Sequence, residues 1–361
     1  MASTLKDPPA AILGGILLEL SFFGDRPVLR RQKLNTRTGP EPVNGYVKRY
    51  RDFNTYLREM FGERVQKIPL DGGLSCPNRD GSVSGKGCIY CDSRGSGTGA
   101  MIHHGLSIEE QVAKGAAFAG KRYGAKKFIA YFQSFSNTYA PLETLKNLYD
   151  RALVHPGVVG LSVGTRPDCV TPEILDLLSA YWSRLLVWLE LGLQSAHDTT
   201  LVRINRGHDA ACFDRAAAMA DACGLNVCAH VILGLPGETR SMMLETAKHL
   251  ASLPVKGLKV HALYVVKGTA LGAMHDMGRY RCLTREEYVE GVVDFLERVP
   301  PHVVIQRLTG DPPQGELQAP QWVKEKGRNL ACIGRRLKER NTWQGKEYHH
   351  LIIAGRGKSA I

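Results

Sequence analysis

The sequence predicts an α/β fold in which helices cover a mostly parallel sheet. Two observations carry this. Six apolar runs rich in β-branched and aromatic residues alternate along the chain with amphipathic helical stretches. The runs are apolar almost without interruption, which marks strands buried on both faces rather than on one. A chain of 361 residues, 43% hydrophobic and 23% charged, suits one barrel with extensions or two domains. Disorder throughout and a small disulfide scaffold are excluded.

The elements follow in order. Residues 10–23, AAILGGILLELSFF, form an apolar run broken by Glu19. The run is too short to cross a bilayer, and its leader, MASTLKDPP, lacks the positive excess of a signal peptide. Residues 1–45 are therefore expected to be a poorly ordered extension. Residues 46–64 read as an amphipathic helix with Tyr50, Phe53, Tyr56, Leu57 and Met60 on one face. VQKIPL (65–70) is the first strand, and further strands are expected at 128–133, 158–164, 185–194, 226–234 and 258–266. Helices are expected at 107–123, 142–154, 171–182, 208–223 and 241–253. The first opens on a capping box, Ser107 with Glu110, and the third on Thr171 with Pro172 at the first helical position. Six βα units fall two short of a closed eight-fold barrel, and an open Rossmann-type sheet is the competing topology. Beyond residue 300, VVIQRL (303–308) reads as another strand and DPPQGELQAP as a loop. Residues 322–340 read as a basic helix with Leu330, Ile333 and Leu337 as its buried stripe.

The formal net charge of +12 is unevenly placed. Residues 1–70 carry 12 Lys and Arg against 7 Asp and Glu, residues 71–300 carry 24 against 23, and residues 301–361 carry 11 against 5. The middle of the chain is close to neutral, and the flanks hold the excess. Such an excess speaks to anionic partners or solubility, not to fold.

Nine cysteines make an odd and uneven set. Cys76, Cys88 and Cys91 cluster, while Cys169, Cys212, Cys223, Cys228, Cys282 and Cys332 are scattered and read as small buried apolar groups. A reducing, cytoplasmic setting with a thiolate metal site fits this pattern. The polar, glycine-rich segment PNRDGSVSGKG between Cys76 and Cys88 can fold three thiolates round one centre. Three ligands are one short of a closed zinc site and of a four-cysteine cluster. The set implies either a remote fourth ligand, His103 or His104 completing a structural zinc loop, or an open metal position where chemistry happens. A redox CxxC pair would leave Cys76 unexplained.

Further segments stand at or near the ends of the expected strands: YFQSFSNTYAP (131–141), VGTRPD (163–168), LELGLQS (189–195), INRGHD (204–209), HVILGLPGET (230–239) and VVKGTAL (265–271). RLTGD (307–311) and TWQGKEY (342–348) follow in the tail. With LSCPNRDGSVSGKGCIYC (74–91) these segments, in this order, resemble the radical SAM enzymes. The branch they most resemble is the YhcC-like one, itself similar to the radical SAM part of the elongator catalytic subunit. The resemblance covers about residues 46–348. It implies a partial (β/α)6 TIM-type barrel of the radical SAM type with a small C-terminal extension, divided as a core at 46–300 and a basic extension at 301–361. It further implies a [4Fe–4S] cluster on Cys76, Cys88 and Cys91 with S-adenosylmethionine on the open iron, reductively cleaved to a 5′-deoxyadenosyl radical. An electron donor such as flavodoxin or ferredoxin is implied as a partner, and a membrane is not.

The same resemblance assigns the strand ends. Gln133 and Ser134 face the methionyl amino group. Thr165, Arg166 and Asp168 reach the ribose and carboxylate, and Glu190, Gln194 and Ser195 occupy the next strand end. Gly234, Leu235, Pro236 and Gly237 bring a tight turn to the adenine. Against these stand plainer readings: an Arg166–Asp168 pair at a helix entrance, Glu190 as a structural acceptor, and a simple strand-to-helix turn. His230 and His261 lie in strands and can face the barrel interior. Elongator-like relatives act on wobble uridines of tRNA. Lys324, Lys326, Arg328, Arg335, Arg336, Lys338 and Arg340, followed by Trp343 and Tyr348, supply charges for phosphates and rings for bases. Modification of tRNA at a wobble uridine side chain is the expected function. The alternatives are the same chemistry on a protein or small metabolite, and a zinc-stabilised RNA-binding module without catalysis.

Overall fold

The apolar runs pair in the order in which they occur. In the computed structural model, residues 48–95, 105–312 and 315–348 are described in full, and 20–23, 26–29, 41–43 and 46–47 by their backbone. Seven strands form one sheet, each parallel to the one before: β1 (Val65–Leu70), β2 (Lys127–Phe132), β3 (Val158–Thr165), β4 (Leu186–Gln194), β5 (Asn226–Leu233), β6 (Gly257–Ala262) and β7 (Val304–Arg307). The strand order never reverses, so the sheet has no topological switch point and the Rossmann alternative falls. The sheet curls into a half-barrel, and across its interior Lys67 Nζ of β1 donates to Gln306 Oε1 of β7 at 2.8 Å. The expected partial barrel is present, and the strand beyond residue 300 joins it as a seventh member.

Ten helices are described: α1 (Phe53–Phe61), α2 (Ile108–Tyr123), α3 (Leu142–Ala152), α4 (Pro172–Trp182), α5 (Asp198–Arg203), α6 (Ala210–Ala222), α7 (Arg240–Ala251), α8 (Ala270–Asp276), α9 (Arg285–Arg298) and α10 (Lys326–Glu339). The capping box of α2 and the Thr171 cap of α4 form as read. Among the described residues no helix is long and apolar enough to cross a membrane.

Four differences from the sequence reading have physical causes. The helix expected at 46–64 starts at Phe53, because residues 46–48 pair with 41–43 as a short antiparallel ribbon and Asp52 caps α1 through Thr55 N at 3.0 Å. The strand expected to run to 266 leaves the sheet at Ala262, and Val265–Val266 pair instead with Leu317–Ala319. Helix α9 escaped the periodicity reading, although Thr284 and Glu287 announce it with a second capping box. Leu330 is 38% exposed, and Asn329 takes its place on the buried face of α10, its Nδ2 donating to Trp322 O at 3.0 Å. In the N-terminal extension residues 20–23 and 26–29 form a hairpin; the rest of that expectation lies largely outside the described residues.

α1 plugs the bottom of the half-barrel. Leu57 and Phe61 pack with Val65, Ile129, Leu186, Trp188, Cys228 and Val304 in a cluster separate from the helix-facing core. Phe53 and Tyr56 stand edge-on to the buried Trp188, each with ring centroids 5.9 Å away. The plug also bridges the open side of the sheet, since Ile305 N of β7 donates to Arg51 O just before α1 at 2.8 Å. The TWQGKEY segment locks this bridge. Gln344 accepts from Arg51 N at 2.9 Å and donates to Pro300 O and Val303 O at 2.7 and 2.8 Å.

Leu57→Ala is expected to cost about 2–5 kcal/mol in urea unfolding, because the plug has no room to collapse around the loss. Val202→Ala, on an 80% exposed side chain, is the control and should stay within about 0.5 kcal/mol.

Candidate active site

The period of two along each strand sends alternate residues inward, and on β4 these include Trp188, Glu190, Gly192 and Gln194. Trp188 belongs to the plug layer. One step up, a polar layer takes one side chain from every strand: Lys67, Tyr131, Ser162, Glu190, His230, Lys259 and Gln306. Glu190, 1% exposed, is its centre. It accepts from Lys67, Lys259, Ser162 and, at 2.7 Å, His230 Nε2. Lys259 Nζ also donates to Tyr131 OH at 2.9 Å. Burial raises the Glu190 carboxyl, but Lys259, Lys67 and His230 outweigh it and hold the group well below its ordinary value. Burial and the neighbouring cations push Lys259 down to about 7, against the pull of Glu190.

Above this floor opens a cavity at the C-terminal ends of the strands. Cys76, Cys88, Cys91, Gln133, Thr165, Arg166 and Gln194 line it, with Glu190 at its base. The cysteine loop is fixed by the INRGHD segment. Ile89 N donates to Ile204 O at 3.1 Å, Asn205 Nδ2 to Gly87 O at 2.6 Å, and Asn78 Nδ2 to Asn205 O at 2.7 Å. Asn78 Nδ2 also lies 3.5 Å and Arg206 Nη1 3.7 Å from Cys88 Sγ. Arg206 is itself buried and anchored on Gly192 O at 2.8 Å. A Cβ at Gly192 would lie 2.6 Å from Arg206 Nη2, so the guanidinium reaches the thiol only past a glycine. Cys88 Sγ thus faces one amide and one guanidinium donor.

The three thiols are not a zinc site as they stand. Zn–S bonds of about 2.3 Å at tetrahedral angles bring sulfurs to roughly 3.8 Å. Among the described residues the one set of three metal-type ligand atoms within 4.8 Å of one another is Glu190, Cys228 and His230, and the loop cysteines are not such a set. Unpartnered buried atoms, Asn78 Oδ1, Ser136 Oγ, Arg166 Nη1 and Arg206 Nε, stand round the same cavity, so it holds polar capacity that the protein leaves unused. His103 and His104 lie outside the described residues.

The other strand-end residues divide. Arg166 binds Asp168 through Nε and Nη2 at 2.9 and 2.7 Å, which leaves Nη1 for the cavity. Thr165 Oγ1 meets Thr138 Oγ1 at 2.7 Å. Gln194 holds a positive φ of 72° at the rim, a strained setting for a non-glycine residue. Ser134 is buried with an unpartnered hydroxyl and lies off the cavity lining. Ser195 donates to Glu238. The turn Gly234–Leu235–Pro236–Gly237 does not line the cavity: Tyr280 OH donates to Gly234 O at 2.9 Å, and Arg203 Nη1 donates to Pro236 O at 3.1 Å and fills the space beside Gly237. Sequence reasoning gave no role to Asn78, Lys67, Arg206, Lys259 or Arg307. A lysine inside a strand of the parallel sheet, in VQKIPL and again in LKVHA, is the signal that could have found two of them.

Comparison with known proteins follows the same outline. Residues 80–250 match the family model described as the radical SAM superfamily, and residues 255–339 match the radical SAM C-terminal domain. The uncharacterized protein YtqA of Bacillus subtilis is 39% identical over 321 residues, 87% of this chain and 98% of its own. The protein YhcC of Escherichia coli is 39% identical over 288 residues, 80% of this chain and 92% of its own. Elongator complex protein 3 of Saccharomyces cerevisiae is 28% identical over 206 residues, 54% of this chain and 36% of its own. Among solved structures, Elp3 of Methanocaldococcus infernus superposes with a TM-score of 0.61 at 18% identity, over 79% of this chain and 67% of that one, a likeness of fold.

Glu190→Gln is expected to cost about 3–5 kcal/mol, because Lys67 and Lys259 lose their shared carboxylate while still buried. Its pH dependence identifies the cause. A carboxyl held low in the folded state stabilises fully above about pH 4.5 and loses this contribution as pH falls. Chemical denaturation from pH 6 to pH 3 should therefore fall less steeply in the variant than in the parent protein; parallel curves would refute the assignment.

Proposed function

The chain belongs to the radical SAM superfamily, and on that premise we propose that Cys76, Cys88 and Cys91 hold its [4Fe–4S] cluster at the mouth of the half-barrel. Enzymes of this family use such a cluster with S-adenosylmethionine, and the alternative of a non-catalytic zinc module gives way. The observation that carries the assignment is the donor set: three thiols on one cavity, one of them facing Asn78 and Arg206. Three thiolates are one ligand short of the four that such a cluster takes, so they would leave one position for S-adenosylmethionine. Bound there, the cluster would supply the electron for reductive cleavage of a C–S bond of S-adenosylmethionine, giving a 5′-deoxyadenosyl radical and methionine. The chain's own residues position and shield. Arg206 and Asn78 steady Cys88. Gln133, Thr165, the free Nη1 of Arg166 and Gln194 offer polar contacts for the methionyl and ribose groups, with Ser134 behind them. Asp168 orients Arg166. Glu190 holds the floor rather than the cofactor, Ser195 holds Glu238, and residues 234–237 close the turn after β5.

For the substrate, the reading supported by the resemblance and by the basic tail is tRNA, modified at a wobble uridine side chain. Charge pairing narrows the contact surface. Arg336 and Arg340 are committed to Glu290, Asp294 and Glu297 of α9. Lys324, Arg328 and Arg335 are exposed, and the one pair among them, Arg328 with Glu325, is a weak surface pair that a phosphate can displace. Half-buried Trp343 carries Lys346 over its ring at 5.3 Å, so its face is already in use. A second reading, the same chemistry on a protein or small metabolite, is favoured by the enclosed ionic floor of the cavity.

Anaerobic reconstitution should give a brown protein with about four irons per chain that releases 5′-deoxyadenosine from S-adenosylmethionine and dithionite, and Cys88→Ala should lose the iron. A colourless protein holding stoichiometric zinc would sink the cluster assignment. For tRNA, the slope of log K against log salt should fall by about 2–3 when Lys324, Arg328 and Arg335 become alanine; an unchanged slope excludes this surface.

A further inference from the structure

The cavity floor is short of negative charge. Glu190 is the one carboxylate among the seven side chains of the polar layer, and Lys67 and Lys259 both bond to it. Arg307, at the end of β7, lines the cavity just above. Its Nη1 pairs with Asp311 Oδ2 at 3.2 Å, and Lys326 claims the same carboxylate at 3.1 Å. On the neighbouring strand His261 lines the cavity too, and its Nε2 is buried without a hydrogen-bond partner in the protein. The contrast with His230 is direct: the two rings lie 5.4 Å apart, but His230 Nε2 is committed to Glu190 at 2.7 Å.

The surplus shows in how the groups ionise. Burial first, then Arg307, His230 and Lys259, push His261 well below its ordinary value. Burial first, then Lys67 and Arg307, act against Lys259, with Glu190 opposing. A buried cation without a full counter-charge is costly, and an anion entering the cavity would remove that cost. A metal cation would not. Glu190, Cys228 and His230 are close enough to ligate one, but the Glu190 carboxylate already carries two ammonium groups, and burial pushes the Cys228 thiol up, away from the thiolate a metal needs.

We infer that the floor of the cavity is an oxyanion-binding subsite, in which His261 Nε2 and the Arg307 guanidinium hold a carboxylate or phosphate group of the substrate while Lys259 and Lys67 supply positive charge from beneath. A guanidinium fork and an imidazole N–H suit either oxyanion. This names the substrate class of the site and rests on reading the cavity as the chamber of a radical SAM enzyme.

The test is calorimetric titration of the full-length, cluster-reconstituted chain without S-adenosylmethionine, in chloride buffer, with sodium malonate in one arm and inorganic phosphate in the other. One saturable site is expected, and the arm that binds more tightly tells which oxyanion the floor takes. Affinity should fall about tenfold or more in His261→Phe and in Arg307→Gln. His261→Phe removes an unpartnered donor, so it decides the matter if Arg307→Gln fails to fold. No saturable binding in either arm, or unchanged affinity in His261→Phe, overturns the inference. Release of 5′-deoxyadenosine by the same parent preparation keeps the two readings apart. Release without anion binding overturns the subsite alone, and anion binding without iron or release overturns the cluster assignment alone.

Discussion

One buried carboxylate ties the half-barrel together from inside. Glu190 of β4 bonds directly to side chains of β1, β3, β5 and β6, and through Lys259 and Lys67 the layer extends to Tyr131 of β2 and Gln306 of β7. An open sheet has no closing strand to hold its two edges at a fixed distance. Here the chain Glu190–Lys67–Gln306 spans the gap above, and α1 with its aromatic contacts to Trp188 spans it below. A charged interior is an expensive way to do this, since apolar packing of equal volume is often as stable. The layer is therefore better understood as serving the cavity above it than as serving stability alone.

The cavity depends on that layer for its depth and on the INRGHD segment for its rim. The cysteine loop has no regular secondary structure to position it. Its thiols are placed instead by hydrogen bonds that Ile89 N and Asn78 Nδ2 donate to Ile204 O and Asn205 O, by the one Gly87 O accepts from Asn205 Nδ2, and by Arg206 reaching past Gly192. Gly207, with φ of 78°, completes this contact, because a Cβ there would fall 2.9 Å from Asn78 Oδ1. A rim held by the side chains of Asn78, Asn205 and Arg206, with glycines at the close approaches, leaves few of these positions free to vary without moving a thiol.

Much of this was legible in the sequence, and what was not has identifiable causes. Periodicity placed all seven strands, since parallel strands buried on both faces are nearly continuous apolar runs. The cysteine spacing marked the rim, and residues 133, 165, 166, 190 and 194 do face the cavity. Ser195 and residues 234–237 share the same strand ends but turn to Glu238, Tyr280 and Arg203, because a strand-end position in sequence does not reveal which way the following turn points. The ionic layer was hidden for another reason. Lys67 and Lys259 are single residues in separate strands, and only the curl of the sheet brings them to Glu190. Helix α9 was missed because its apolar positions are broad, with Tyr288, Val289, Val292, Val293, Phe295 and Leu296 all buried.

Net charge shows the same limit from the other side. A count of +6 beyond residue 300 suggests an open basic surface, but a formal count ignores partners. Arg340 alone meets Glu290, Asp294 and Glu297, and Arg336 meets Glu290 and Glu339. These pairs staple α10 to α9 and make part of the basic tail a packing device. Arg307, by contrast, sits in the same tail yet lines the cavity, paired with Asp311, above a floor where one carboxylate serves two lysines. The charge that bears most closely on chemistry is therefore not where the sequence concentrates it. It lies where burial strips a few cations of water and leaves them short of counter-charge.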